Sequence, residues 1–214
     1  MTERKTAAAL IIGNELLSGK IADQNLVVLA RTLNGIGMRL ARVVVVRDDL
    51  PTITAEVRGL SASHDTLFTS GGVGPTHDDL TIDGVARAPK GARLVQSKEP
   101  SWPTIVIQNT WVLPGVPEIF AAKMPLVVAE LGGAAAAVSR VVYTNLDEGN
   151  LKPLLDKVVA DHPEVEIGSY PQWRHSRYKV QVTFDCVDAE RVDRAQADLE
   201  LLMPEGALVE TEED

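Results

Sequence analysis

The residue types that could do chemistry are concentrated in one glycine-rich stretch, Thr69–Thr81, which reads TSGGVGPTHDDLT. Three glycines within four positions let the backbone turn tightly and approach a ligand without a Cβ in the way. The surrounding residues predict a strand before this stretch and a helix after it, and a helix N-terminus favours an anion. Asp78 and Asp79 would repel a phosphate unless a divalent cation bound both, because hard metals take carboxylate and phosphate oxygens together. The stretch therefore predicts a phosphate and metal site, although either acid also suits the N-cap of the helix.

Two further loops place acids after apolar runs. Ala7–Ile12 and Leu40–Val46 read as buried strands, the first followed by Glu15 and the second by Asp48 and Asp49. Helical periodicity after each run gives the order strand, helix, strand, helix, strand, which requires right-handed crossovers and a parallel sheet. The carboxyl ends of such strands share one edge, where open α/β sheets bind ligands, so the acids of all three loops are expected to converge. Two alternatives stay open: Glu15 as an ordinary surface acid, and the aspartates as helix caps.

The rest of the chain predicts a second, different unit. The segment 104–131 reads as two strands, the rigid turn Pro114–Pro117 and a helix. Gly132–Ala137 reads as a linker, and the pattern beyond it has the β-α-β-β-α order of a small α+β sandwich. We therefore predict a three-layer, mostly parallel α/β domain at 1–137 and a small α+β domain at 138–214.

Charge and composition restrict the classes of partner. The formal net charge is −9, which argues against nucleic-acid binding because that needs a basic face. The N-terminus lacks a signal-peptide pattern, and the longest uncharged stretch holds four prolines and cannot be a membrane helix. The sequence predicts a soluble, cytoplasmic protein that binds no membrane.

Other reactive-looking residues read as structural. Cys186 is the only cysteine and is expected to be a packed thiol, in keeping with a reducing compartment. Tyr170 and Trp173 lie in a predicted hairpin loop, where they either line a groove or staple a small core; we expect the staple. Dinucleotide-binding, P-loop, nucleophile-elbow and zinc-ligand spacings are absent from the sequence.

Five motifs, in order along the chain, resemble the CinA N-terminal family of the wider molybdopterin-binding (MoaB/MogA-like) superfamily. They are Gly13–Gly19 (GNELLSG), Asp23–Asn25 (DQN), Val46–Asp49 (VRDD), Gly71–Thr81 (GGVGPTHDDLT) and Leu113–Pro117 (LPGVP). The resemblance covers residues 6–131, and the second domain matches more loosely. The stretches 102–117 and 168–171 are similar to the amino-terminal domain of eukaryotic-type FAD synthases.

The resemblance implies two activities. The first is a metal-dependent nucleotide pyrophosphatase that splits ADP-ribose- or FAD-like dinucleotides, with Mg²⁺ or Co²⁺ as the divalent metal. The alternative is a molybdopterin-binding protein, with or without adenylyl transfer. Both bind a phosphorylated small molecule, and relatives form homo-oligomers. A non-catalytic ligand sensor is a third possibility.

The same resemblance, read with the acids of the three loops, implies site residues. Asp48 and Asp79 match catalytic acids of the MogA branch, and Glu15, Asp78 and Asp79 are the expected metal ligands. Substrate-binding residues are expected in the loops after the strands: Gly13, Thr69, Ser70, Gly71, Gly72, Gly74, Thr76, Thr81, Pro114, Gly115 and Pro117.

The sequence departs from the family pattern in two places. The predicted helix that begins at Thr81 ends after about two turns, at Ala88, where family members carry some tens of further residues. Either a lid has been lost or a disordered segment is missing from the sequence. The Asn-Pro-x-Gly loop of CinA proteins is also absent. Both departures leave the choice of substrate open.

Overall fold

The computed structural model describes residues 4–73, 80–81, 92–95, 103–132, 136–173 and 177–210. The chain divides into two compact units, Met1–Ala135 and Ala136–Asp214. Three predicted features lie wholly or partly outside the described residues: the acids Asp78 and Asp79, the helix after Thr81, and the linker. Within the described residues, no helix is long and apolar enough to cross a membrane.

The first unit alternates strands and helices for most of its length. Its described strands are β1 (Thr6–Ile12), β2 (Arg39–Val46), β3 (Thr66–Ser70), β4 (Ala92–Val95), β5 (Thr104–Ile107) and β6 (Thr110–Leu113). Its described helices are α1 (Asn14–Leu17), α2 (Asn25–Gly35), α3 (Leu50–Ser63) and α4 (Pro117–Leu131). Pro51 and Pro117 stand in the first turns of α3 and α4, where the missing N–H costs no hydrogen bond.

These strands form one sheet in the order β2-β1-β3-β6-β5-β4. The β1–β2, β1–β3 and β3–β6 pairs are parallel, whereas β5 and β4 run antiparallel at one edge. Only two residues connect β5 to β6, and so short a connection can join only antiparallel strands. The mostly parallel α/β fold is confirmed. Strand β4 (ARLV) and helix α1 (NELL) were not predicted, because neither segment is a continuous apolar run like TIVI at β5.

Three layers follow from the alternation of side chains along β1, which is buried on both faces. Ala7 and Ala9 pack with residues of α2 and α4 on one side of the sheet. Ala8 and Leu10 pack with residues of α3 on the other. A strand covered on both faces must be apolar at every position, which is why the sequence shows a continuous apolar run.

The second unit has its own sheet and its own core. Its elements are β7 (Val138–Thr144), α5 (Glu148–Asp161), β8 (Glu166–Pro171), β9 (Val180–Cys186) and α6 (Ala189–Leu202). The strands are antiparallel in the order β7-β9-β8. Alternate residues of β9 pack with apolar residues of both helices, and Cys186 is buried among them. The predicted β-α-β-β-α order is confirmed.

The predicted aromatic staple in the second unit is wrong. Trp173 is 90% exposed and Tyr170 is 52% exposed. Tyr170 and Gly168 lie two positions apart on β8 and therefore on the same face, and a Cβ on Gly168 would come within 2.9 Å of Tyr170 Oη. The core is instead filled by Phe184 and aliphatic side chains. Aromatic content alone could not show which face of the strand these rings occupy.

Trp173→Ala is expected to change the free energy of unfolding by less than about 0.5 kcal/mol, because an exposed ring loses little contact on truncation. Urea unfolding of the wild type and of Trp173→Ala, followed by far-UV circular dichroism, measures this difference in the free energy of unfolding. A loss above about 1 kcal/mol would mean that the indole packs in solution.

Candidate functional site

A cleft of about 610 Å³ lies at the carboxyl ends of β1, β3 and β6. Its walls come from the end of β1 and the loop after it, from the segment 21–25 that leads into α2, and from the loops at 70–73 and 114–117. Asp48, which follows β2, completes the described wall. The parallel strands thus bring together residues from five parts of the sequence, at the edge of the sheet where a site was predicted.

The floor of the cleft is a tight glycine turn after β3. Gly71 and Gly72 have φ of +100° and +63°. A Cβ on Gly71 would lie 2.1 Å from the carbonyl oxygen of Ile12, so only glycine fits there. Thr81 closes the turn: its Oγ1 donates to Gly71 O at 2.7 Å and its N–H donates to Gly72 O at 2.9 Å. The turn is therefore fixed from both sides.

The two neighbouring aspartates after β2 have different roles. Asp48 lines the cleft, and its Oδ2 accepts a hydrogen bond from the Asn14 N–H at 3.0 Å. Asp49 is instead the N-cap of α3 and accepts from both the hydroxyl and the N–H of Thr52. The hydroxyl and then the N–H of Thr52 lower the pKa of Asp49, since both bond the charged form. Of these two aspartates, only Asp48 is among the described residues that line the cleft.

The charged side chains of the described cleft wall are all carboxylates. They are Glu15, Asp23 and Asp48, and that part of the wall includes no lysine, arginine or histidine. Asp23 also bonds the backbone, because its Oδ1 accepts a hydrogen bond from the Leu26 N–H at 2.7 Å at the start of α2. An anionic ligand would therefore meet like charge unless a cation accompanied it.

Sequence comparison identifies the unit that holds this cleft. Residues 8–132 match a family model described as the probable molybdopterin binding domain. The chain belongs to that family. Residues 136–212 match the model of the FAD synthase middle domain.

Relatives of this molybdopterin binding domain protein span both units. A protein from Archaeoglobus fulgidus is 30% identical over 90% of this chain and 95% of its own length. A probable FAD synthase from Caenorhabditis elegans is 27% identical over 95% of this chain, which covers 51% of that enzyme. The chain thus spans about half the length of the FAD synthase relative.

Solved structures agree with the fold of the molybdopterin binding domain. CinA from Thermoplasma acidophilum, titled as a protein of unknown function, superposes with a TM-score of 0.55 at 23% identity, covering 60% of this chain and 98% of that one. The molybdopterin biosynthesis enzyme MoaB from Thermus thermophilus has a TM-score of 0.51 at 18% identity, covering 59% and 90%. The predicted resemblance to the CinA and MoaB/MogA group is confirmed.

Most predicted site residues of the molybdopterin binding domain that the structure describes line the cleft. They are Gly13, Glu15, Asp48, Ser70, Gly71, Gly72, Pro114, Gly115 and Pro117. Thr69 and Thr81 are fully buried and are not among the lining residues. Thr81 serves the turn rather than the wall. Gly74, Thr76, Asp78 and Asp79 lie outside the described residues, so their roles remain predictions.

Asn25 is one of several cleft residues that the sequence analysis did not include in the site. It is the first residue of α2 and is 3% exposed. Its Nδ2 donates to Ser70 Oγ at 3.0 Å and to Gly115 O at 2.9 Å. The available signal was its place in the Asp23-Gln24-Asn25 motif. That signal was weak, because an asparagine at the start of a helix is also common where it has no role in binding.

Proposed function

We propose that the cleft binds a phosphorylated nucleotide and that the protein hydrolyses its pyrophosphate bond with the help of a divalent cation. ADP-ribose and FAD-like dinucleotides are the expected substrates. The observation that carries this proposal is the glycine turn at 71–72, which lies in the same cleft as Glu15 and Asp48. A backbone turn without side chains accommodates phosphate closely, and carboxylates beside it supply oxygen ligands for a hard metal.

Charge makes the cation necessary to the proposal. Two unit charges 4 Å apart interact by about 4 kcal/mol at the effective dielectric near a protein surface, so carboxylates would repel a diphosphate appreciably. Glu15 and Asp48 fit a Mg²⁺ or Co²⁺ ion by their chemistry, and Asp78 and Asp79 are the further ligands we propose. Among the described residues alone, no three acidic, histidine or cysteine side chains form a metal site. A bound cation would polarise a phosphoryl oxygen and lower the pKa of an attacking water.

The protein itself contributes positioning. The Gly71 N–H donates to Leu113 O at 3.3 Å, so this amide holds the turn on β6 and is not offered to the ligand. The phosphate donors of the loop are therefore expected to begin at Gly72. Because the turn is fixed by Thr81 and by β6, it needs no reorganisation when negative charge develops on the phosphoryl group. Such preorganised electrostatic stabilisation is the main source of catalysis in phosphoryl transfer.

Incubation with ADP-ribose or FAD, with and without Mg²⁺ or Co²⁺, tests the activity. We expect AMP to appear only when metal is present, and EDTA to stop its release. Anion-exchange chromatography of the products measures AMP directly. If no metal supports AMP release from either compound, the pyrophosphatase proposal is wrong.

The second candidate is binding of molybdopterin, with or without adenylyl transfer to it. The match of residues 8–132 to the molybdopterin binding domain family supports this candidate. Fluorescence quenching measures the binding of a pterin phosphate. Tight binding, together with no AMP release from ADP-ribose or FAD, would favour molybdopterin binding over hydrolysis.

A further inference from the structure

We propose that Asn25 is a positioning residue: its side-chain amide sets the distance between two neighbouring loops of the cleft, 70–73 and 114–117. The nature of the ligand rests on the proposed function, but the geometric claim does not. Asn25 is expected to act through these loops on ligand affinity rather than through direct chemistry.

The amide bonds to both loops at once. Ser70 is the last residue of β3, next to the glycine turn, and Gly115 lies in the loop that follows β6. These acceptors are 45 and 90 positions away from Asn25 along the sequence. A single side chain on α2 therefore ties together the ends of two strands that form the floor of the cleft.

The orientation of the amide is determined by its partners. Both hydrogens of Nδ2 are directed to oxygen atoms, and Gly115 O can only accept. A flipped amide would place Oδ1 against that carbonyl oxygen, acceptor against acceptor. In the orientation observed, no described residue donates a hydrogen bond to Oδ1, although it is buried. Leaving a buried acceptor unpaired is costly, and such groups persist where function compensates for the loss.

Glycine packing explains why the spacing needs such a side chain. A Cβ on Gly115 would lie 3.2 Å from Gly71 Cα, so the two loops are in close contact. Neither glycine has a side chain that could interlock with the other. The Asn25 amide supplies the directional bonds that glycine contacts lack, since hydrogen bonds depend strongly on distance and angle.

Asn109 provides a matched control in the same domain. Its Nδ2 also donates to two carbonyl oxygens, those of Ser61 at 2.9 Å and His64 at 3.0 Å. It lies in the β5–β6 connection, at the other end of β6, and is not among the residues that line the cleft. Asn109→Ala removes the same number of amide bonds without touching the cleft loops.

Isothermal titration of the full chain with Mg²⁺ and an ADP-ribose analogue tests the proposal; in the analogue a methylene group replaces the bridging pyrophosphate oxygen, so that it cannot be hydrolysed during the titration. We expect Asn25→Ala to weaken binding by about tenfold or more, because small displacements of binding groups have large effects, and Asn109→Ala to change it by less than about twofold. Urea unfolding of both variants shows whether they lose comparable stability. Equal binding by the two variants at comparable stability would overturn the proposal.

The nearly isosteric variant gives a readout that a purely structural role would not produce. A carboxylate has no donor, whereas a protonated carboxyl group has one. The affinity of Asn25→Asp relative to the wild type is therefore expected to rise as the pH falls from about 8 to about 5, since buried carboxyl groups titrate in this range. A ratio that stays constant with pH would contradict the bonding role.

Hydrogen exchange distinguishes failure of this inference from failure of the proposed function. We expect the backbone amides at 71–73 and 115–116 to exchange faster in Asn25→Ala than in Asn109→Ala, with no ligand present. If the wild type bound no ADP-ribose, the proposed function would fail while faster exchange still supported the positioning role. Unchanged exchange in Asn25→Ala would overturn that role whatever the protein binds.

Discussion

Gly71→Ala is expected to lower the free energy of unfolding by about 3 to 5 kcal/mol. Two costs add at this position. An alanine at φ +100° is strained, and its Cβ would lie 2.1 Å from Ile12 O in the buried strand β1. Neither the strand nor the turn can move without disturbing the sheet, because Gly71 N–H also bonds Leu113 O.

Gly19→Ala is the matched control. Gly19 also has a positive φ, +70°, but nothing lies within 4 Å of a Cβ built on it. Its substitution should therefore show the conformational cost alone, about 1 to 2 kcal/mol. Urea unfolding followed by circular dichroism gives the free energy of unfolding of Gly71→Ala and of Gly19→Ala, each relative to the wild type. Losses of the same size would show that Ile12 O does not restrict the turn.

Asp48→Asn is expected to lower metal-dependent AMP release from ADP-ribose by about 100-fold in kcat/KM, because it removes a charge from the reacting centre. The fold should survive, since an asparagine oxygen can still accept the Asn14 N–H bond that Asp48 accepts. The rate of AMP release is measured by chromatography at increasing metal concentrations for the wild type and for Asp48→Asn. This titration separates weaker metal binding from slower turnover.

The adjacent acid supplies the comparison. Asp49→Asn removes the same charge one residue away, on a side chain that bonds Thr52 at the start of α3. Asp49→Asn should lower the midpoint temperature of thermal unfolding slightly and leave the rate of AMP release unchanged. Equal loss of activity in both variants would show that the general charge of this loop matters, rather than the position of Asp48.

The sequence was sufficient to place the cleft because strand order determines it. The apolar runs that become β1 and β2, with helical periodicity after each of them, predict parallel strands and a shared carboxyl edge. Glu15 and Asp48 both line the cleft at this edge. The glycine motif was informative for the same reason, since Gly71 and Gly72 occupy positive φ values that other residues rarely adopt.

Side-chain direction was not available from the sequence. Asp48 and Asp49 have the same chemistry, and only the backbone at the start of α3 decides which one caps the helix. Tyr170 could not be assigned to a face of β8 because the aromatic residues of that hairpin show no clear alternation. Asn25 was missed because its partners come from loops 45 and 90 positions away.

The two units of the chain have separate apolar cores, and no described residue belongs to both. The matches to two different family models, at 8–132 and 136–212, follow the same division. Each half therefore encodes the packing of its own interior. The core of either half can therefore diverge in sequence without replacing a described core contact of the other half.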